Sequence, residues 1–272
     1  MESYKITKLH GRSKGNYQAL KGVLSESESG NEKFLFVSPH DDDAIIGSSL
    51  LMQLAVNEGI DVHLLIVTDG SMGYCSEEEK HTITAIRRRE TYNCYEALGI
   101  PHKNITWLGF PDCRINLFRG RREAIEGDPS IIKDYTGMQN AFTWALRAIN
   151  PTACFLPTIA DLHPDHQIVY EEFMISIFHA NGTIWPELGK PLGDIPDVYE
   201  MGVYCDFPHT PDIQIAAAAK HLEKKIDAIN EFKSQTQISS LVDVVRENGP
   251  YEYFRTIGFH LYSPAKYRTL FE

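Results

Sequence analysis

With 272 residues, 43% of them apolar and 23% charged, the chain has the composition of an ordinary soluble globular protein and enough length to bury a sizeable core without staples. A formal net charge of −11, with no basic stripe interleaved with aromatics, argues against a nucleic-acid backbone as partner. No apolar run approaches the ~18 residues of a membrane span, the first residues carry no apolar segment of signal-peptide length, and five cysteines without a Cys-x-x-Cys pair argue for a reducing, cytoplasmic setting and against a disulfide framework or a cysteine zinc site.

Residues 1–32 are polar, with a Ser-Glu-Ser-Glu-Ser-Gly loop at 25–30 and room for a short strand or helix before it. From Lys33 strands and helices alternate. The apolar run Phe34–Val37 predicts a buried strand over 33–38, ending at Pro39, and an apolar helix follows over about 44–58, closed by Gly59. A second strand runs Asp61–Thr68 and stops at Asp69-Gly70. Helical spacing of Ile83, Ile86, Glu90, Cys94 and Leu98 predicts a helix over about 78–98, capped by Gly99 and barred from continuing by Pro101. A third strand at 104–108 leads into Gly109-Phe110-Pro111-Asp112. Residues 113–137 are irregular, and a loop that long in a compact domain usually serves function or moves. Then come a helix at 138–149 ended by Asn150-Pro151, a strand at 153–157 and a helix over about 165–180. After a Gly- and Pro-rich stretch at 182–197, strands are expected at 198–204 and 212–216, a helix at 217–233, and one more helix within 239–258. The alternation implies an α/β fold, a Rossmann-like three-layer sandwich with a mainly parallel sheet, read as one domain with its core at about 33–180 and C-terminal additions at about 181–272.

Two polar clusters break this pattern at equivalent places. His40-Asp41-Asp42-Asp43 follows the first buried strand, and His163-Pro164-Asp165-His166 follows the strand at 153–157. Both sit between the carboxyl end of a strand and the start of a helix, where open α/β sheets bind ligands. A catalytic divalent metal takes three nitrogen or oxygen ligands and keeps one position open. His40, Asp43 and His166 supply such a set, with Asp42 free as a general base and His163 free to donate to an oxyanion or protonate a leaving group. Asp165 is a candidate to hold the second nitrogen of a histidine. Helix capping is the plainer role for Asp42 or Asp43, and a turn plus cap for His163-Pro164-Asp165. A His2Asp set accepts zinc, iron, manganese or cobalt.

Ser38-Pro39-His40-Asp41-Asp42-Asp43-Ala44, Thr68-Asp69-Gly70, Arg87-x-x-Glu90, Leu98-Gly99-Ile100 and His163-Pro164-Asp165-His166 together resemble the PIG-L/LmbE-like family of metal-dependent N-deacetylases, from about residue 33 to 180. A weaker likeness extends over 223–229 and Lys233-Ser234-Gln235. The resemblance implies His40, Asp43 and His166 as ligands of one divalent metal, zinc first and Fe2+ second. It implies Asp42 as base, His163 with Asp165 as catalytic partners, and Arg87 as a substrate-orienting residue, with a salt bridge to Glu90 or another acid as the alternative. It also implies a small N-acetylated substrate, an amino sugar or a related molecule, and it is compatible with a homo-oligomer. The sequence departs from the family's His-Pro-Asp-Asp-Glu at two positions: Asp41 replaces the proline and Ala44 the glutamate. Asp41 is expected on the solvated surface. Arg114, Arg119, Arg121 and Arg122 are candidates to meet a substrate anion, against a solvated loop for most of them. Cleavage of another amide or of a phosphoester on the same frame, or a non-catalytic binding role, stays open at this point.

Overall fold

Phe34–Val37, Leu64–Val67 and Ala153–Leu156 are apolar at every position, which a strand tolerates only when both faces of its sheet are covered. Successive side chains point to opposite faces, so each run feeds two cores. A computed structural model describes residues 4–11, 13–24, 31–73, 75–258 and 262–271. The strands and helices, in chain order, are β1 (Tyr4–His10), β2 (Ser13–Tyr17), β3 (Lys33–Ser38), α1 (Asp43–Asn57), β4 (Asp61–Thr68), α2 (Ile83–Ala97), β5 (Ile105–Phe110), β6 (Arg122–Glu123), β7 (Tyr135–Thr136), α3 (Met138–Ile149), β8 (Ala153–Pro157), α4 (Pro164–Asn181), β9 (Asp197–Met201), β10 (Ile213–Ala217), α5 (Ala219–Ile229), α6 (Ile238–Asn248), β11 (Tyr251–Ile257) and α7 (Arg268–Phe271).

Nine strands form one sheet in the order β2-β1-β10-β11-β9-β8-β3-β4-β5. The run β9-β8-β3-β4-β5 is parallel, and β2-β1-β10-β11 adds to it antiparallel, with β11 also antiparallel to β9. Phe34, Phe36, Leu64 and Ile66 meet α1, α2 and α5 on one face. Leu35, Val37, Leu65 and Val67 meet α3 and α4 on the other. This is the expected three-layer α/β sandwich. Helix α1 is buried from Asp43 to Ala55, because α5 covers the side that β3 and β4 leave open. A helix apolar on all sides belongs in such a position.

The structure differs from the sequence reading mainly at its ends. Within 181–272 the strands expected at 198–204 and 212–216 are β9 and β10, and both join the central sheet together with β11. The helix expected within 239–258 stops at Asn248. Gly249 takes a positive φ of 71° and Pro250 follows, so the chain turns back as β11. The N-terminal segment is a hairpin, β1 and β2, and the loop expected at 25–30 lies outside the described residues. Helix α2 begins at Ile83 rather than 78, because residues 79–82 turn first.

One buried ion pair is tied into the middle of α1. The Glu252 carboxylate accepts from the Leu50 and Leu51 amides at 2.9 and 3.0 Å and from Lys225 Nζ at 2.8 Å, while Lys225 Nζ also donates to the Ile46 carbonyl at 2.6 Å. The pair joins β11, α5 and α1 out of water. Removing one partner strands the other charge, which costs about 3–5 kcal/mol. Lys225→Met is therefore expected to lose about that much stability in urea unfolding; a loss under about 1 kcal/mol would show that the pair does not hold α1 in place.

Candidate metal centre

The turn from β3 into α1 is tied by Ser38, whose hydroxyl donates to the His40 carbonyl and accepts from the Ala44 amide at 3.0 Å. The turn aims His40 and Asp43 inward. From the neighbouring strand β8 the chain passes through Thr158–Leu162 into α4, and His166 on its first turn points at the same spot. Three donor atoms converge there. His166 Nε2 lies 3.1 Å from Asp43 Oδ2, His40 Nδ1 lies 3.2 Å from the same oxygen, and the two imidazole nitrogens are 3.4 Å apart. Metal–ligand bonds of ~2.0–2.2 Å in a tetrahedral site place donors about 3.3 Å from one another, so this set has the spacing of three ligands.

Each imidazole is held from behind. His40 Nε2 faces Asp112 Oδ1 at 3.3 Å and Asp165 Oδ2 at 3.5 Å. His166 Nδ1 faces Asp161 Oδ2 at 3.1 Å. The carboxylates are themselves anchored: Asp112 by the Met72 amide, Asp165 by the Cys113 amide, and Asp161 by the amides of His163 and Tyr204. Carboxylates in these places keep the ring protons on the outer nitrogens and turn the inner lone pairs toward the centre. His163 forms a donor group with His40 and His166, and a further group, His40 with Asp112 and Asp165, lies on the outer side of the His40 ring. It has one imidazole instead of two, and backbone amides already occupy its carboxylates.

Electrostatics agree with a cation at the inner position. Burial disfavours charge on His40, yet Asp43, Asp112 and Asp165 hold its pKa well above the usual histidine range. Burial likewise opposes charge on His166, and Asp43 and Asp161 raise it to about 9. A pocket that draws protons onto two buried imidazoles is one a divalent ion suits.

Asp42 and His163 flank the centre. Asp42 occupies the N-cap position of α1 but makes no capping hydrogen bond. Its Oδ1 is buried with no hydrogen-bond partner among the described residues, and Arg87 Nη2 stands 3.6 Å away. Burial pushes its carboxyl up to about 6; Arg87 opposes the rise, and Asp43 and Asp41 add to it. His163 does cap α4: its Nδ1 accepts from the Asp165 amide at 3.2 Å. That bond puts the proton of neutral His163 on Nε2, as a donor. Burial, then the neighbouring His40 and His166, keep its pKa below the usual range, so it stays neutral.

Asp41 is not on the surface. It is fully buried, with Arg87 paired through both nitrogens of one edge (Nε at 3.1 Å from Oδ2, Nη2 close to Oδ1), Thr91 donating to Oδ2 at 2.9 Å and Tyr95 donating to its carbonyl at 3.1 Å. Residues 87, 91 and 95 are four apart on one face of α2, and that face closes over residue 41. Arg87 therefore pairs with Asp41 and not with Glu90. Glu90 instead accepts from the Ser234 amide and hydroxyl at 2.9 and 2.7 Å, which sets Gln235 into the cavity wall. Gly73 lies so close over Arg87 that a Cβ there would meet Nη1 at 2.2 Å.

A cavity of about 540 Å³ opens above the centre. His40, Asp42 and His163 form its floor. Met72 and Gly73 after β4, and Asp112 and Cys113 after β5, form one side. The arginine-bearing part of the 113–137 loop does not line it. Arg119 pairs with Glu171 and Glu172, Arg121 with Glu187 while stacking on Tyr135, and Arg122 with Asp128. Asp112 and Asp161 were missed by the sequence reading. Both stand just after strand ends, the position that marks the two clusters.

Comparison with known proteins follows the same residues. The family model described as PIG-L, GlcNAc-PI de-N-acetylase, matches residues 35–177. Over 233 residues the chain is 27% identical to 1D-myo-inositol 2-acetamido-2-deoxy-alpha-D-glucopyranoside deacetylase 2 of Saccharopolyspora erythraea, covering 75% of this chain and 84% of that one. It is 35% identical to the diacetylchitobiose deacetylase of Thermococcus kodakarensis over 103 residues, and this stretch spans only 38% of either chain. The N,N'-diacetylchitobiose deacetylase of Pyrococcus horikoshii shares the fold, with a TM-score of 0.67 at 22% identity and 88% coverage of both chains. With the family model running from β3 to α4 across more than half of the residues and through both polar clusters, the chain belongs to the PIG-L, GlcNAc-PI de-N-acetylase family.

Proposed function

We propose that the protein is a divalent-metal-dependent hydrolase that removes an N-acetyl group from an amino sugar or a closely related small molecule. The observation that carries this reading is the convergence of His40 Nδ1, Asp43 Oδ2 and His166 Nε2 within 3.1–3.4 Å of one another, beside a buried carboxylate with an unpartnered oxygen. Family membership and the deacetylase relatives point the same way.

In this reading His40, Asp43 and His166 hold the ion, and zinc suits a set of two imidazoles and one carboxylate. A zinc ion held there supplies Lewis acidity at the scissile carbonyl. Asp42, with its carboxyl near neutrality, takes the proton of the attacking water. His163 donates from Nε2 to the oxygen on which charge develops when the carbonyl becomes tetrahedral. The proton taken by Asp42 then goes to the nitrogen as the C–N bond breaks, giving a free amine and acetate. Asp161, Asp112 and Asp165 act through the histidines, holding their orientation and tautomer. Arg87, pinned by Asp41, steadies Asp42 from the side. Five free cysteines favour a cytoplasmic setting, and no helix among the described residues is long and apolar enough to cross a membrane.

Three measurements test this. The purified protein is expected to carry near one equivalent of metal, and His166→Ala to lose it; a wild-type protein that stays metal-free after dialysis against zinc would overturn the centre. Asp42→Asn is expected to keep the metal and lower the rate of acetate release by about 10²–10⁴-fold. A binding module or a hydrolase of another bond would show no acetate to lose. Asp161→Asn is expected to weaken metal affinity by about 10–100-fold, read by chelator competition.

A further inference from the structure

The cavity's charge and its second wall narrow the substrate further than the family does. Among the described residues, Arg87 is the one Lys or Arg side chain lining it. Its guanidinium is buried, paired along one edge by Asp41 and 3.6 Å from Asp42. The residue that neutralises it is the one standing where the family pattern has proline. The other ionisable side chains on the lining, besides the histidines, Cys113 and Tyr204, are Asp42 and Asp112. Among the described residues no free cation is therefore presented to a phosphate or carboxylate.

Helix α6 forms the wall facing the centre. Val242 and Val245 are buried toward the core, while Ile238, Leu241 and Val244 line the cavity. Val244 is 52% exposed, and Met72 on the opposite side is 62% exposed. Apolar side chains at these positions add little to the core of the protein. Leu241 and Val244 also line a second cavity of about 390 Å³, where Val203, Phe207 and Val245 stand beside Asn248 and the paired Lys225 and Glu252. Gln235, Gln237 and Ser240, from the same segment, put hydrogen-bonding groups beside the apolar strip. Polar groups near the reacting end and an apolar track leading away describe an amphiphilic, uncharged ligand.

We propose that the substrate is an uncharged N-acetyl amino-sugar glycoside with an apolar aglycone, its acetamide at the metal centre and its aglycone along Leu241 and Val244 of α6. This rests on the deacetylase reading above for the orientation of the sugar, and on the cavity alone for the aglycone.

The test uses three probes: methyl and octyl 2-acetamido-2-deoxy-β-D-glucopyranoside, and N-acetylglucosamine 6-phosphate. Acetate release by the zinc-loaded protein gives kcat/KM. Calorimetry on the zinc-loaded Asp42→Asn protein gives Kd without turnover, and this variant removes a negative charge and so handicaps the proposal. The octyl glycoside is expected to bind at least about tenfold more tightly than the methyl glycoside, and the phosphate no more tightly than the methyl. Leu241→Asn and Val244→Asn are each expected to shrink the octyl-to-methyl ratio several-fold, and Val244 is exposed enough for its substitution to leave folding intact. Octyl and methyl glycosides within twofold of each other, or tightest binding by the phosphate, would overturn the proposal. Tight, α6-dependent octyl binding without acetate from any probe would uphold the aglycone track and sink the deacetylase reading. Equal turnover of methyl and octyl glycosides with equal Kd would uphold the deacetylase and sink the track.

Discussion

Five carboxylates, Asp42, Asp43, Asp112, Asp161 and Asp165, crowd around two imidazoles in the interior of this protein, and most of the architecture near the sheet's carboxyl edge exists to make that arrangement tolerable. Buried carboxylates cost several kcal/mol each unless charge or hydrogen bonds compensate them. Here backbone amides of Met72, Cys113, His163 and Tyr204 supply part of the compensation, and the imidazoles supply more. What is left over is a focus of negative potential at the point where His40 Nδ1, Asp43 Oδ2 and His166 Nε2 meet. A cation there neutralises the cluster, whereas a proton on each histidine does so only while the pH allows it. The loops after β4, β5 and β8 are thus as much a part of the centre as the three residues that face it.

Much of this was visible in the sequence. Strand-to-helix turns that carry His and Asp can be read from an apolar run, a proline and the start of a helical pattern, and β3, β4, β8, α1, α3 and α4 fall within a residue or two of where those signals put them. That the two clusters meet was inferred from their matching places after strands, and the strand order that brings them together, β3 beside β8, comes from the structure. Asp112 and Asp161 were harder. Their work is done through histidines distant in sequence, and nothing local separates such an aspartate from a turn residue. Asp41 was misplaced for a different reason. A run of four polar residues looks like surface, and only the four-residue spacing of Arg87, Thr91 and Tyr95 on α2 hinted that a polar helix face would close over it. The strand β11 was lost to the helical appearance of the segment before it, although Asn248-Gly249-Pro250 carried the stop signal.

The pairing of Asp41 with Arg87 shows how one substitution redistributes roles. Proline at position 41 would stiffen the turn through its fixed φ and leave Arg87 without that partner. Aspartate gives up the stiffness and gains an ion pair, with Thr91 and Tyr95 completing the contacts around the residue. The turn keeps its shape through Ser38, which bridges the His40 carbonyl and the Ala44 amide. The same pair leaves Arg87 close enough to Asp42 to oppose the rise in its pKa, so a change at residue 41 is felt by Asp42 without any change in His40, Asp43 or His166.

Catalytic and substrate-facing groups come from different parts of the chain, and the connections between them are few. The parallel half of the sheet supplies His40, Asp42, Asp43, His163 and His166 on turns whose backbones are fixed by buried strands. The facing wall is built from 234–248, a segment fastened at two places: Ser234 on Glu90 at one end, and β11 through Glu252 and Lys225 at the other. Between those fasteners α6 buries Val242 and Val245 and packs Ile238 and Leu241 against the core, and its other side chains answer to the cavity or to solvent. Side chains under that light constraint can change with little effect on stability, whereas those of the β3 and β8 turns cannot. A fold divided in this way can keep one reaction while its substrate wall varies: in the proposed reading the ligand set comes from the turns after β3 and β8, and the substrate preference from α6.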